Sequence, residues 1–297
     1  MNECKAGRLP DFIAVGPPRT ATTWLDAVLR GHVGLPEGTK ETHFFTRSYP
    51  KGLDWYRSHF EHCPLQLPVG EICTSYFRSS TARRRISTDI PGCKIICSLR
   101  DPIEQLYSHY KLLRQGYAEG DFEETLRDHE MLKTARYAHH IKAWQKGFGE
   151  QNVLVTFYDD LKANPQGFLD QVTGFIGIRS ISLAETHAAT GSINIIKKAP
   201  FSPLLARCAR ELRTRLGSHR LHRSMEFLDR IGVWRFCFGG GMEFPPLDSD
   251  AESRLRSRLR PEVEKLENLL QRDLSRWKGA GMSRFAASEY SSLARTN

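Results

Sequence analysis

The stretch DFIAVGPPRTATTWLDAVLRGH, Asp11 to His32, has the pattern of a strand, a loop and a helix in succession. The apolar run 12–15 predicts a buried strand, and the apolar spacing over about 23–30 predicts a helix. The Gly-Pro-Pro turn and the Thr-rich residues between them suit a loop that holds a phosphate or sulfate at a helix start. The usual nucleotide-binding loop has Gly, four residues, then Gly-Lys-Ser/Thr, and the sequence of this loop departs from that motif.

Three more segments predict strands, namely 69–76, 93–99 and 152–161. Helical patterns follow the last two. Asp101 is a good N-cap and Pro102 a good first helical residue, and Gly116 can close that helix. Strands separated by helices predict an α/β fold with a central parallel sheet flanked by helices, in which the opening stretch forms a P-loop-like strand–loop–helix.

A further helix is predicted near the C-terminus. Ser249 and Glu252 have the spacing of a capping box. An apolar stripe follows at helical spacing: Leu255, Leu259, Val263, Leu266, Leu270 and Leu274. We expect a single domain over 1–297, with its core at about 11–175 and 240–277 and a helical basic insertion at about 179–247.

The charge of the chain favours anionic partners. Its 297 residues include 43 Lys and Arg against 34 Asp and Glu, a net charge of +9. The segment 197–235 holds ten basic and three acidic residues. It is either the solvated face of a helical region or an arm over an acidic ligand, and it is a candidate for peripheral membrane contact.

The seven cysteines are scattered, and their spacing completes no metal site. The N-terminal residues lack the apolar core of a signal peptide. No apolar run approaches the roughly 18 residues of a membrane span. We therefore expect reduced thiols in a cytoplasmic protein, with the inner face of the membrane as a place of peripheral contact.

Polar clusters follow two of the predicted strands. In a parallel sheet, ligands bind at the carboxyl ends of the strands. Arg19 and the threonines 20, 22 and 23 follow the first strand, and Arg100 follows the third, with Ser108 on the helix after it. Arg100 next to Asp101 is also what a surface ion pair would show. Together the two clusters predict a ligand with two anionic groups.

Glu41 is a lone carboxylate between Lys40 and His43. It is either a solvated loop residue or a general base. Nearby phosphates would disfavour its ionised form, which suits a proton acceptor that works near neutral pH.

Taken together, these motifs resemble the sulfotransferases that use 3′-phosphoadenosine 5′-phosphosulfate (PAPS). The chain most resembles the heparan-sulfate N- and 3-O-sulfotransferase branch and its bacterial relatives. The matches occur in the family's order over most of the chain. They are GPPRTATTWL (16–25), KETHFF (40–45), GEICTSYF (70–77), KIICSLRDPIEQLYSHY (94–110), NVLVTFYDDLKANP (152–165) and PPLDSDAESRLRSRLRPEVEKLENLL (245–270).

The resemblance implies a role for each matching residue. Arg19 would neutralise the leaving group, Glu41 would act as general base, and Arg100 with Ser108 would bind the 3′-phosphate. Eight residues of helix span about 12 Å, so spacing alone does not explain a phosphate shared by the last two. The 5′-phosphosulfate would be held by Arg19, Thr20, Ala21, Thr22, Thr23 and Trp24. The acceptor would meet Lys40, His43 and Glu71. PAPS would be the donor and PAP the product, and the mechanism needs no metal.

Several positions depart from the family's pattern. Arg19 replaces a lysine; it keeps the charge but cannot give up a proton. Ala21 replaces a glycine, so a left-handed backbone there would be strained. The C-terminal stretch 238–246, FGGGMEFPP, lacks the family's basic loop, for which glycine amides or Arg235 are substitutes.

The strand match has two departures as well. Ile72 stands where the heparan-type enzymes have a substrate-contacting lysine, and Thr74 stands where they have a proline. The change at Ile72 argues against heparan sulfate itself as the acceptor.

The sequence thus predicts an enzyme that moves a sulfuryl group from PAPS to a hydroxyl or amine. The expected acceptor is anionic or glycosylated, such as a carbohydrate or glycolipid, or else a small natural product; no nucleic-acid partner is expected. Two alternatives remain open at this stage: a P-loop-like small-molecule kinase, and a non-enzymatic module that binds anions or membranes.

Overall fold

The computed structural model describes residues 7–115, 120–127, 129–186, 196, 198–200, 202–218, 237–238 and 241–279. Its four strands are β1 (Phe12–Ala14), β2 (Gly70–Ile72), β3 (Lys94–Leu99) and β4 (Val153–Phe157). They form one sheet in the order β2-β1-β3-β4, and every neighbouring pair is parallel. The predicted α/β class with a central parallel sheet is confirmed. The fourth strand is shorter than the predicted 152–161, because residues 158–161 are helical.

Helices follow or separate these strands. They are α1 (Thr22–Leu29), α2 (Gly52–Ser58), α3 (Ser80–Asp89), α4 (Pro102–Arg114), α5 (Phe122–Arg127), α6 (His129–Thr134), α7 (Tyr137–Phe148), α8 (Tyr158–Ala163), α9 (Pro165–Ile176), α10 (Pro203–Ser218), α11 (Ser249–Leu270) and α12 (Ser275–Lys278). Among the described residues, none of these helices combines the length and the apolar character needed to cross a bilayer.

The opening stretch folds as predicted, with β1 leading into α1. Phe12 pairs with Gly70 on one side and with Lys94 on the other. A Cβ at Gly70 would lie 2.1 Å from the Phe12 ring, so only glycine fits beside this ring. β1 is thus an interior strand, and its carboxyl end lies between those of β2 and β3.

The two faces of the sheet are covered by different helices. On one face, Phe12 and Ala14 pack with apolar residues of α1 and α9, including Leu25 and Leu169. Alternation along a strand sends Ile95 to the opposite face, where α7 contacts β3 and β4. The sheet is thereby packed between helices on both faces.

Helix caps agree with the sequence in one case and differ in another. Asp101 Oδ1 accepts from the amide of Ile103 at 2.8 Å, which confirms the predicted cap of α4. The capping box at Ser249 is wrong. Asp248 caps α11 instead, accepting from the Ala251 amide at 2.9 Å. The remaining box residue, Glu252, forms a buried ion pair at 2.8 Å with an arginine one turn later, because an opposite charge at helical spacing competes for it.

The chain divides into two compact units. Unit 1 comprises residues 1–105, 136–194 and 265–271, and unit 2 comprises residues 106–135, 195–264 and 272–297. Unit 1 contains the sheet. Unit 2 contains α5, α6 and α10 together with an aromatic cluster of Tyr107, Tyr110, Phe122 and Phe244. The single domain with an insertion at about 179–247 stays a prediction.

Some predicted features lie outside the described residues. They include Gly116, Arg235 and the part of the basic segment from 219 to 235. Within the described part of that segment, α10 exposes Leu204 and Leu212 to solvent. Membrane contact through 197–235 stays a prediction.

Candidate active site

The loop after β1, residues 16–23, is called the anion loop below. Its backbone is left-handed at Arg19 (φ 74°) and at Ala21 (φ 68°). Ala21 is also the N-cap of α1 and provides no side-chain cap. The first amide N–H groups of a helix have no acceptor within the helix, so an anion bound at this end can accept their hydrogen bonds. Ala21 thus has the left-handed backbone that would be strained in the absence of a glycine.

Side chains from the loop and from β3 and α4 hold the carbonyl groups of the anion loop. The Thr20 hydroxyl donates to Pro17 O at 2.8 Å, and Ser98 Oγ donates to Thr20 O at 2.7 Å. Gln105 Nε2 donates to Pro18 O at 2.8 Å. Thr20 was predicted to hold the phosphosulfate. Its buried hydroxyl fixes the shape of the loop, a use that the sequence did not predict, and its part in holding a phosphosulfate stays a prediction.

The remaining predicted loop residues have different surroundings. Thr22 is buried, and its hydroxyl accepts from Lys40 Nζ at 3.3 Å. Thr23 is exposed. The Trp24 ring packs edge-to-face against Phe168, with ring centroids 5.7 Å apart. Trp24 therefore helps to attach α1 to the core, and a direct contact of its ring with a nucleotide stays a prediction.

Several cationic groups meet where β1, β3 and β4 end. Arg100 Nε and Nη2 donate to Glu104 Oε2 at 3.0 and 2.9 Å, and the guanidinium lies 4.6 Å from the Tyr158 ring centre. Lys162 Nζ lies 3.7 Å from the same Glu104 oxygen. Burial lowers the pKa of Arg19, and the charge of Arg100 lowers it further. Cations held this close to one another favour an anionic ligand.

The sequence identified only part of this cationic group. Arg100 pairs with Glu104 rather than with Asp101, because Asp101 caps the helix and Glu104 lies one helical turn away. Tyr158 and Lys162 were not predicted, although their i,i+4 spacing after a strand was a usable signal. Ser108 is half-buried on α4 and belongs to unit 2, so its share in a 3′-phosphate site stays a prediction.

A second group of side chains, the Glu41 cluster, comprises Glu41, Lys40, His43, Cys73, Thr74 and Ser75. Glu41 Oε2 accepts from the Thr74 amide and from the Thr74 hydroxyl, each at 3.0 Å. Lys40 Nζ lies 3.5 Å from Glu41 Oε1, and 18% of the Glu41 side chain is exposed. The carboxylate is thus fixed in place while solvent still reaches it.

Thr74 explains one of the departures from the family's pattern. A proline at this position would have neither the amide N–H nor the hydroxyl that donate to Glu41. The substitution therefore adds two hydrogen bonds to the proposed base. Ile72, the other departure in this strand, is completely buried in the core and presents no group to an acceptor.

His43 contacts the same cluster from a strained backbone position, with φ 52°. Its Nδ1 lies 3.0 Å from Ser75 Oγ, 3.6 Å from Cys73 Sγ and 3.9 Å from Glu41 Oε2. Burial lowers the pKa of His43, and the charge of Glu41 opposes this effect. The imidazole therefore favours its neutral form, in which one ring nitrogen accepts and the other donates.

A third group, the Glu71 cluster, comprises Glu71, Thr42, Tyr56 and Tyr76. Glu71 Oε1 accepts from the Thr42 amide at 2.9 Å and from its hydroxyl at 2.6 Å, and Oε2 accepts from Tyr56 at 2.7 Å. Tyr76 donates to both oxygens. Burial raises the pKa of the Glu71 carboxyl, and the hydrogen bonds from Thr42 and Tyr56 oppose the rise.

The predicted contact between Glu71 and the acceptor does not fit this arrangement. Glu71 is 0% exposed, and both of its oxygens are taken up by the protein. A group that is buried and fully hydrogen-bonded is a structural anchor. Glu71 anchors Thr42, the residue between Glu41 and His43, and so fixes the backbone that carries the proposed base.

The sequence of this chain matches a known protein family. The profile of the sulfotransferase domain family matches residues 9–204. The chain belongs to the sulfotransferase family. The match includes the anion loop, Glu41 and Arg100.

Among the relatives, two mouse proteins are informative. Bifunctional heparan sulfate N-deacetylase/N-sulfotransferase 3 of Mus musculus is 27% identical over 89% of this chain and 30% of its own length. Heparan sulfate glucosamine 3-O-sulfotransferase 3B1 of Mus musculus is 30% identical over 59% of this chain and 47% of its own length. The chain thus spans from under a third to about half of the length of these relatives.

A solved structure shares the fold. The sulfotransferase from Alicyclobacillus acidocaldarius superposes with a TM-score of 0.64 over 92% of this chain and 100% of its own, at 20% identity. The parallel sheet with flanking helices is therefore the architecture of a known sulfotransferase.

Proposed function

We propose that this protein transfers a sulfuryl group from PAPS to a hydroxyl or amine of an anionic or glycosylated acceptor. The observation that carries the proposal is the position of Lys40. Its ammonium lies 3.3 Å from the Thr22 hydroxyl in the anion loop and 3.5 Å from Glu41. One cation thus links the loop that suits a phosphosulfate to the carboxylate that suits a general base.

The described residues fit PAPS as the donor. PAPS supplies, when bound, an electrophilic sulfuryl group attached to a phosphate leaving group. The anion loop has its carbonyl groups tied back by side chains, and no Cβ fits at Gly16, where it would lie 2.7 Å from Ser98 O. Burial lowers the pKa of Arg19 and the charge of Arg100 lowers it further, so a polyanion would relieve the repulsion between the two arginines.

The chain's own residues then have distinct tasks. Arg19 and the amides at the start of α1 hold the 5′-phosphosulfate. They also offset the negative charge that develops on the phosphate leaving group. Arg100 holds the 3′-phosphate. Glu41 takes the proton of the acceptor, and Thr74 keeps its carboxylate oriented. Lys40 and His43 line the acceptor side.

The acceptor is proposed from chemistry and from the relatives. Both mouse relatives are named for heparan sulfate, an acidic glycan. The net charge of +9 suits an anionic acceptor. Ile72, which is buried, provides no cation for a heparan chain, so we propose another acidic glycan or glycolipid as the acceptor.

Calorimetric titration with 3′,5′-adenosine bisphosphate, 5′-AMP and ATP-Mg tests the donor. We expect micromolar binding of the bisphosphate and much weaker binding of the other two nucleotides, because only the bisphosphate fills both phosphate positions. Preference for ATP-Mg would replace the proposal with a kinase. No binding of any nucleotide would favour a non-enzymatic module.

A further inference from the structure

Three side chains of the Glu41 cluster place metal-ligating atoms around one point. A carboxylate oxygen of Glu41, a ring nitrogen of His43 and the sulfur of Cys73 all lie within 4.8 Å of one another. Cys73 is buried, and the proposed transfer of a sulfuryl group gives its thiol no task. A carboxylate, an imidazole and a thiol form a ligand set typical of zinc.

We propose that Glu41, His43 and Cys73 bind Zn²⁺, and that the bound ion stops transfer by occupying the Glu41 carboxylate. The binding part of this proposal stands on the three side chains alone. The inhibition part rests on the proposed role of Glu41 as general base.

The spacing of the ligand atoms suits a tetrahedral ion. Zn–S bonds of about 2.3 Å and Zn–N bonds of about 2.0 Å place sulfur and nitrogen about 3.5 Å apart. Cys73 Sγ and His43 Nδ1 are 3.6 Å apart. Glu41 Oε2 lies 3.9 Å from the same nitrogen, so a small rotation of the carboxylate completes three ligands. The fourth position is left for water, and binding releases the thiol proton to solvent.

The ligand types also select the metal. Imidazole and thiolate favour zinc over magnesium and calcium, which prefer sites made of oxygen ligands. Thr74 orients the carboxylate with two hydrogen bonds. Ser75 Oγ lies 3.0 Å from His43 Nδ1 and 3.3 Å from Cys73 Sγ, so its hydroxyl must turn aside when the ion binds.

A neighbouring group has the same residue types and provides a matched control. Cys63 Sγ lies 3.6 Å from His62 Nε2, whereas Glu37 Oε2 lies 3.7 Å from His62 Nδ1. Because opposite nitrogens of the ring face the two partners, one ion cannot join all three. The control shares the composition of the proposed site and lacks its geometry.

The test uses the full chain with Cys208→Ser as the background, because the thiol of Cys208 is exposed. Co²⁺ titration is followed by the thiolate-to-cobalt absorption band, and Zn²⁺ affinity is measured by competition. We expect one equivalent of tightly bound metal in the background protein and in its Cys63→Ser variant. Cys73→Ser should lose the band and bind at least about tenfold more weakly.

A second variant keeps the test decisive if Cys73→Ser fails to fold. His43→Asn keeps the thiol and should also weaken Co²⁺ binding at least about tenfold, with thermal melts recorded for every variant. Unchanged affinity in both variants would overturn the site.

Sulfuryl transfer is then measured with and without Zn²⁺. Zinc should inhibit the background protein, and Cys73→Ser should need at least about tenfold more zinc for the same inhibition. Tight metal binding without inhibition of sulfuryl transfer would overturn the inhibition part of the proposal. If no variant transfers sulfuryl before zinc is added, the proposed function fails, while the cobalt titration still decides the metal site.

Discussion

The Glu41 cluster and the Glu71 cluster adjoin one another, yet they treat a glutamate in opposite ways. Glu41 has 18% of its side chain exposed and takes its hydrogen bonds from Thr74. Glu71 is fully buried and accepts from Thr42, Tyr56 and Tyr76.

The two clusters separate a reactive carboxylate from one that supports the fold. An acceptor can reach a carboxylate only where solvent also reaches it. A buried carboxylate must instead have its oxygens satisfied by the protein, because an unpaired buried charge costs several kcal/mol. Changes in the Glu41 cluster should therefore alter catalysis, and changes in the Glu71 cluster should alter stability.

The largest effect is expected from Glu41→Gln. Loss of the general base should lower kcat by roughly 10²–10⁴-fold, while nucleotide affinity and the melting temperature stay nearly unchanged. Transfer kinetics, calorimetry and thermal melts measure the three quantities. Glu37→Gln, an exposed glutamate on the same segment, is the control and should change none of them. Unchanged turnover in Glu41→Gln would remove Glu41 as the base and make His43 the next candidate.

Glu71→Gln should have the opposite profile. The amide would face donors that now meet a carboxylate, so we expect a loss of about 2–4 kcal/mol in the free energy of unfolding. Tyr56→Phe, which removes one donor from the same cluster, should cost about 1 kcal/mol. Denaturant unfolding measures both. If the Glu71→Gln protein is stable but loses affinity for the acceptor, Glu71 contacts the acceptor after all. The contrast drawn between the two clusters would then be wrong.

Arg100→Ala extends the comparison to the donor side. Loss of a charge-assisted hydrogen bond should weaken binding of 3′,5′-adenosine bisphosphate by about 1.5–3 kcal/mol. Affinity for 5′-AMP should hardly change. Arg30→Ala, an exposed arginine paired with Asp26, is the control and should leave both affinities as they are. Equal losses for the two nucleotides would contradict the assignment of Arg100 to the 3′-phosphate.

Ala21→Gly should give the smallest effect. Relief of the left-handed backbone at φ 68° should raise the free energy of unfolding by about 1 kcal/mol. The same substitution inside α1, Ala27→Gly, should lower it by about 0.5–1 kcal/mol, because glycine weakens a helix interior. If both changes destabilise the protein, the side chain of Ala21 makes contacts that outweigh its backbone strain.

The sequence predicted the elements of the fold better than the contacts of the site. β1, α1 and the Asp101 cap follow from local signals: apolar spacing and a side chain that reaches its own helix. The predicted cap at Ser249 was wrong because Asp248, one residue earlier, caps the helix instead. The Glu71 contact with the acceptor was proposed by resemblance, and burial of the side chain argues against it.

Other features could not be predicted because they join distant segments. Thr74 donates to Glu41 across 33 residues, and Gln105 donates to the anion loop across 87 residues. Neither contact leaves a periodic signal in the sequence. For the same reason, the spacing of the cysteines could not predict that Cys73 lies beside His43, 30 residues away.

Residue types and spacing were enough to predict the parallel α/β architecture, the order of the motifs and the choice of Glu41, Arg19 and Arg100 as candidates. Those inferences needed only residue types, spacing and local propensity. The tertiary structure alone decided which glutamate is open and which is buried, what holds the anion loop, and which side chains surround Glu41. Burial and hydrogen-bond partners depend on which strand ends the folded sheet brings together, and that is a property of the whole chain rather than of any one segment.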